Sequence, residues 1–395
     1  MRREIISCST PLCFPKAKIA FPVEEPKPSK VLMVPNEECP CEVTVSREDE
    51  FETEAGGGCM VGVKSPFNRI ITPMALKIPH FTLNDGTEMP AVGLGTSLAM
   101  FGGGERVYQM CLNALKAGYR HFDTAAGYGN ENEVGRAIQD SGIPRNEIYL
   151  TTKLANPDHN RVQAAFEKSL KDLDLEYVDL YLLHWPQAGK DRAELWGDAV
   201  FRPDESPTFV ETWKEMEKLL ESGKVKSLGV SNFSIKNLEI LLPHCTVVPV
   251  TNQVELHPCL PQNELKDYCE EKGIILTAFS PLGFPLPNRP GLIKNETIKA
   301  LANKLSIDVA QVLISWGVQR KTVVIPKTEN PQRMASNITL VQLSPEDMKV
   351  LDDLHRQPKM HRSIAVSSIV SAKGRINGWT CDEMGWPEHL YRLDI

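Results

Sequence analysis

The sequence predicts an α/β fold closed as a (β/α)8 TIM barrel, preceded by an N-terminal β-hairpin and a disordered N-terminal extension. Three observations carry that expectation. Eight short apolar or β-branched segments recur from Val92 onward, each followed by helical sequence. The alternation occupies roughly 250 residues, the span of one such barrel. The competing open, doubly wound sheet usually carries G-x-G-x-x-G after its first strand. Here that turn reads Gly93-Leu94-Gly95-Thr96-Ser97-Leu98, without the third glycine, and no P-loop is present.

In chain order, residues 1–78 form the extension. They are rich in Pro, Glu and Ser, include an acidic run from Arg47 to Glu54 and a glycine triplet at Gly56-Gly57-Gly58, and show no sustained period of 2 or 3.6. Residues 79–395 are assigned to the barrel, with a C-terminal tail over its active site. The hairpin comes first: HFTL, the turn Asn84-Asp85-Gly86, then TEMPAV. The strand segments follow as Val92–Leu94, His121–Asp123, Ile148–Lys153, Val178–His184, Val225–Val230, Val250–Glu255, Ile274–Phe279 and Val323–Pro326. Helical periodicity is clearest from Arg161 to Leu173, where Val162, Ala165, Phe166, Ser169, Leu170 and Leu173 share one face. Further helices are expected over 209–220, 260–272 and 308–318. Ser344-Pro345-Glu346-Asp347 starts another, with an N-cap and proline at the first helical position.

Of the 395 residues, 42% are hydrophobic and 24% charged, with a formal net charge of -7. There is no dense basic stripe, which argues against nucleic acid as a partner. No apolar run approaches the ~20 residues needed to cross a bilayer, so no membrane association is expected. The basic start, MRREIISCSTPLCFPKAKIAF, lacks the long apolar core of a secretory signal; a mitochondrial presequence is the alternative to a cytoplasmic location. The ten cysteines show no zinc spacing, and free thiols are expected, including Cys8, Cys13, Cys39, Cys41 and Cys59 in the extension. No metal site is expected.

Barrel enzymes place their chemistry at the C-terminal ends of the strands. Asp123, Tyr128, Lys153 and His184 all fall there, on neighbouring strands that lie ~4.8 Å apart. Singly, each has a structural explanation: an ion pair, a loop cap, a core histidine. Jointly, a carboxylate, a phenol, an ammonium and an imidazole can deliver a proton to a carbonyl oxygen. A free phenol titrates near ~10, too high for an efficient acid at neutral pH, and bringing it to 7 takes ~4 kcal/mol. A lysine at ~4 Å supplies that much only in a partly dry site. Lys153 must therefore be buried, and Asp123 is the partner that keeps it charged. His184 is expected to orient the carbonyl.

The segments GLGT (93–96), FDTAAGYGNE (122–131), TTKL (151–154), LLHWP (182–186), GVSNF (229–233), NQVELHP (252–258), AFSPLG (278–283) and VVIPKTENPQRMASN (323–337) closely resemble the aldo-keto reductase family. The resemblance covers roughly residues 79–356. It implies an enzyme that reduces an aldehyde or ketone with a nicotinamide cofactor, with Tyr128 as the acid and Asp123, Lys153 and His184 supporting it. Members that reduce a carbon–carbon double bond replace the histidine by glutamate, so His184 favours carbonyl reduction. The resemblance further implies that Ser231, Asn232 and Gln253 hold the nicotinamide carboxamide, that Phe279 stacks on the ring where many members have tyrosine, and that Ser280 and Leu282 also touch the cofactor. Lys327, Thr328 and Arg333 match the 2′-phosphate site, so NADP(H) is expected. Asn337 matches an adenine contact, and Ser336 replaces a residue that is often acidic.

Substrate identity is less determined. His184 and Trp185 are expected to line the pocket, and Ser97 stands where many relatives have tryptophan, which would widen it. The loops 187–208 (with Trp196) and 284–294, and a tail with Trp379, Trp386 and Tyr391, are the expected specificity elements, although the tail aromatics could equally pack on the barrel. The partner expected is a small-molecule carbonyl substrate, and the chain is expected to be a monomer. One alternative is a binding or regulatory protein that keeps the fold and cofactor, since the family includes channel-associated subunits and the extension is long. Another is a biosynthetic enzyme working from alcohol to ketone.

Overall fold

The computed structural model describes residues 75–190, 198–284, 291–371 and 373–391. Residues 1–74 of the extension with its five cysteines, Trp196 and the 285–290 part of the proline-rich loop lie outside the described residues; the end of the extension, Ala75–Leu76, is a strand rather than disordered.

Eight parallel strands form one sheet in sequence order: β1 (Leu94–Gly95), β2 (His121–Asp123), β3 (Tyr149–Leu154), β4 (Val178–Leu183), β5 (Val225–Ser231), β6 (Thr251–Glu255), β7 (Ile275–Phe279) and β8 (Val323–Val324). The sheet closes on itself. Val92 bridges Val324 in parallel, Gly93 N donates to the Val324 carbonyl at 2.9 Å, and Gly95 N donates to that of Pro326 at 3.1 Å. The glycines of the GLGT segment serve this seam. A Cβ on Gly93 would lie 2.7 Å from the His121 ring, and one on Gly95 would lie 3.0 Å from the Ile325 carbonyl. They let strands meet rather than cradle a phosphate, which is why the third glycine of the dinucleotide fingerprint is not needed.

Outside the sheet run α1 (Glu105–Ala117), α2 (Glu131–Asp140), α3 (Val162–Leu173), α4 (Phe209–Glu217), α5 (Ile235–Leu241), α6 (Asn263–Glu271), α7 (Glu296–Leu305), α8 (Val309–Gln319), α9 (Pro331–Asn337) and α10 (Pro345–Asp352). All six residues of the expected α3 face are buried. Ser344 caps α10 by accepting from Asp347 N at 3.2 Å. α6 begins three residues later than its periodicity suggests. Leu260 pairs back to His257, and Gln262 sits in the left-handed region at φ 52°, so the chain must turn before it can coil.

The hairpin pairs His80–Thr82 with Glu88–Pro90 and closes the N-terminal end of the barrel. Leu83 and Met89 pack there with Tyr149, Leu180, Leu182, Val250 and Val323, and Ser227 Oγ donates to Asp85 at 2.6 Å. Ala75–Leu76 pairs antiparallel with Leu340–Val341. With that end closed, the opposite rim is left for chemistry.

Candidate active site

At the C-terminal rim, Asp123 ends β2, Lys153 lies one residue before the end of β3, and His184 follows β4. Tyr128 closes the short turn Ala126–Tyr128, and Gly129 at φ 65° releases the chain from it. Asn130 pins the turn, accepting from Thr124 Oγ1 at 2.8 Å and donating to the Thr96 carbonyl at 3.0 Å. Gly102 N donates to the Tyr128 carbonyl at 2.7 Å.

Lys153 is completely buried. Its ammonium donates to Asp123 Oδ1 at 2.5 Å, to the Thr124 carbonyl at 2.7 Å and to the Tyr128 hydroxyl at 3.4 Å. Asp123 Oδ2 accepts from Gln253 Nε2 at 2.7 Å. The Tyr128 and His184 rings meet edge to face, 5.6 Å between centroids and 77° between planes. The structure thus brings all four expected side chains together.

Burial works against the Lys153 charge, but Asp123 and Tyr128 more than offset it, and the ammonium titrates above the ordinary lysine value. Burial holds His184 well below the usual imidazole range, and the Lys153 charge pushes it the same way, so His184 is neutral at pH 7. Tyr128 departs from the acidity that the sequence leads one to expect. Burial raises it above the ordinary phenol value, and the Lys153 charge and hydrogen bond lower it without prevailing. Burial is the larger cause; Lys153, 2.5 Å from the Asp123 carboxylate but 3.4 Å from the phenol, offsets only part of it, and the Asp123 charge adds to the rise.

The residues expected at the cofactor fall into two groups. Near the tetrad, Ser231 Oγ donates to the Gln253 carbonyl at 2.8 Å and accepts from Asn232 Nδ2 at 3.1 Å. Asn232 Nδ2 also donates to the His184 carbonyl at 2.9 Å. Asn232 Oδ1 is buried and has no hydrogen-bond partner among the described residues. A buried acceptor without a donor is costly in isolation, and an amide N–H would satisfy it. This fits a carboxamide. Asn232 and Ser280 both occupy the left-handed region, at φ 64° and 49°, directly after β5 and β7. Such conformations persist where surrounding structure fixes them, and they concentrate at functional rims. Phe279 is half-buried at the end of β7, followed by Ser280 and Leu282 in its turn.

The second group follows β8. Thr328 and Asn337 are buried, while Lys327 and Arg333 are exposed. Asn330 caps α9 by accepting from Arg333 N at 3.0 Å. Ser336 Oγ donates to Asp308. The sequence reading did not assign Glu329, which accepts from Lys327 Nζ at 2.5 Å and from Arg106 Nη2 at 2.8 Å. An acid inside a cationic segment was the available signal. Nor did it assign Asn130, or the Gln253 bond to Asp123; neither bond follows from local sequence. A separate cleft of about 690 Å³ on the outer ring, lined by His159, Arg161, Glu211 and Glu215 among others, contains none of the tetrad.

The sequence model of the Aldo/keto reductase family matches residues 91–356. The chain belongs to the aldo/keto reductase family. The family and the barrel expected from sequence are both met, and the reductase is an oxidoreductase by that membership. It is 45% identical over 298 residues to an aldehyde reductase of Saccharomyces cerevisiae, spanning 72% of this chain and 94% of that protein. It is 43% identical over 289 residues to a glycerol 2-dehydrogenase (NADP(+)) of the same yeast, spanning 70% and 90%. Among solved structures, a Bombyx mori aldo-keto reductase in complex with NADP matches with a TM-score of 0.67 and 35% identity. That match covers 77% of this chain and 99% of the other. No helix among the described residues is long and apolar enough to cross a membrane.

Proposed function

We propose that the reductase converts an aldehyde or ketone to an alcohol with NADPH, and that Tyr128 supplies the proton. The carrying observation is the Lys153 ammonium, fully buried and held between the Asp123 carboxylate and the Tyr128 hydroxyl. Two yeast relatives are named as an aldehyde reductase and an NADP(+) dehydrogenase, and the insect neighbour was solved with NADP, which supports the cofactor assignment.

Residues 79–395 act as the catalytic unit. Ser231, Asn232 and Gln253 hold the carboxamide, and Phe279 faces the ring, with Ser280 and Leu282 beside it. Lys327, Thr328 and Arg333 hold the 2′-phosphate, and Asn337 the adenine. When bound, the cofactor supplies a hydride to the carbonyl carbon. His184, neutral at pH 7, donates a hydrogen bond to the carbonyl oxygen and fixes its direction. Trp185, 5% exposed, forms one wall of the substrate site. Tyr128 stays protonated across the physiological range because burial raises its pKa, so it is a ready donor in the reducing direction. As the proton leaves, the phenolate forms beside Lys153, whose charge is already in place and needs no reorganisation.

Replacing Tyr128 with Phe should lower aldehyde-dependent NADPH consumption by about 10²–10⁴ while NADPH still quenches tryptophan fluorescence. Turnover within twofold of wild type would remove Tyr128 from the role of acid.

A further inference from the structure

Glu329 is a carboxylate placed among the cations that the proposed function gives to the 2′-phosphate. It does not face solvent freely. One oxygen accepts from Lys327 at 2.5 Å and from Arg106 Nη2 at 2.8 Å, and the other accepts from Arg106 Nε. The two-pronged Arg106 bond fixes the carboxylate plane from the first turn of α1, 223 residues away in sequence. Both cations hold the Glu329 carboxyl down to about 2, so it stays ionised at any working pH. Lys327 therefore has an internal anion competing for its charge.

We infer that Glu329, clamped by Arg106, sets the preference between the two nicotinamide cofactors by competing with the 2′-phosphate for Lys327. A phosphate brought to Lys327 meets a like charge on Glu329 and must take over its partner. Arg106 limits that penalty, since it holds and neutralises Glu329 when Lys327 lets go. A cofactor with a 2′-hydroxyl brings no such charge, and the Glu329 carboxylate can accept from that hydroxyl. Arg106 is thus the indirect support and Glu329 the discriminating group, and the inference rests on the phosphate assignment of Lys327.

The test is a fluorescence-quench titration of the full chain with NADPH and with NADH at fixed ionic strength. Glu329→Gln keeps the shape and removes the charge. It should raise NADPH affinity about three- to tenfold, the scale of one unit charge about 6 Å away near a surface. NADH affinity should stay level or fall. Arg106→Gln should act oppositely on NADPH, weakening it by a similar factor, because Glu329 is then left to Lys327 alone. Both sites are partly exposed, so both variants should fold, and unchanged melting curves check it. An unchanged or lowered NADPH-to-NADH preference in Glu329→Gln overturns the inference. Lys327→Met separates the two ideas. If it abolishes NADPH preference while Glu329→Gln does nothing, the phosphate site stands and the competition does not exist. If it leaves the preference intact, the phosphate assignment fails and the inference fails with it.

Discussion

Asp123 accepts on both oxygens, from Lys153 on one and Gln253 on the other, and it is 2% exposed. A carboxylate so placed is tolerable only while the ammonium stays. Lys153→Met should therefore cost about 3–5 kcal/mol of unfolding free energy, because it leaves a buried anion without a counter-charge. Asp123→Asn should cost less, since Lys153 can shed its proton and still bond the Thr124 carbonyl. Denaturant unfolding of the two variants checks the ordering, and equal losses would mean that the pair is not electrostatically coupled. The tetrad residues were legible in sequence because each ends or follows an apolar strand. Their acidities were less so. The Tyr128 shift is set first by burial of the phenol and then by the Lys153 and Asp123 charges beside it, and no local pattern of residues encodes that burial.

Elements show the same division. Strand order, the hairpin and α3 follow from local periodicity and turn chemistry, which act over a few residues. The tail does not. Its residues 363–366 converge on Glu255, the buried last residue of β6. One Glu255 oxygen accepts from Ile364 N at 2.6 Å, Ala365 N at 2.7 Å and His257 Nε2 at 3.1 Å. The other accepts from Ser363 Oγ at 2.5 Å and Val366 N at 2.9 Å. Further along, Trp379 Nε1 donates to the Phe201 carbonyl at 2.8 Å. Trp386 lies 6.2 Å from Trp185 and stacks on Tyr391 at 4.6 Å. The tail aromatics thus pack on the barrel beside Trp185. The bonds from 363–366 to Glu255, from Trp379 to Phe201 and between Trp386 and Trp185 each join segments more than a hundred residues apart, so the sequence offered no period to read. Glu255→Gln puts an NH₂ where amide donors converge and strands at least one buried N–H. It should cost about 1–3 kcal/mol and speed hydrogen exchange at 364–366. KM for a bulky aldehyde should rise more than NADPH affinity falls. Unchanged exchange in the variant would mean that other contacts hold the tail.

At the scale of the whole molecule, the barrel buries groups that titrate just outside neutrality, and this fixes the pH range in which it is stable. Burial lowers His121 to about 4 and His159 to about 3, and holds His184 well below the ordinary 6.5. Unfolded, all three take a proton near 6.5. Below that pH the unfolded chain binds more protons than the folded one, so stability falls as pH falls, by up to about 1.4 kcal/mol per pH unit for each histidine. The decline continues to about 4 for His121 and about 3 for His159. On the alkaline side the sign is opposite. Burial raises Cys245, Cys259 and Cys269 from 9.0 to about 12. Their contribution is complete below 9 and is lost as the unfolded thiols ionise above it. The reductase should therefore show a stability plateau from about pH 6.5 to 9 with losses on both sides. Urea midpoints followed by circular dichroism at pH 5, 7.5 and 10 measure it. The pH 5 midpoint should be clearly lowest or the protein already unfolded there. A midpoint at pH 5 equal to that at 7.5 would mean that the buried histidines gain protons without unfolding the barrel, and that their burial is not the source of its acid sensitivity.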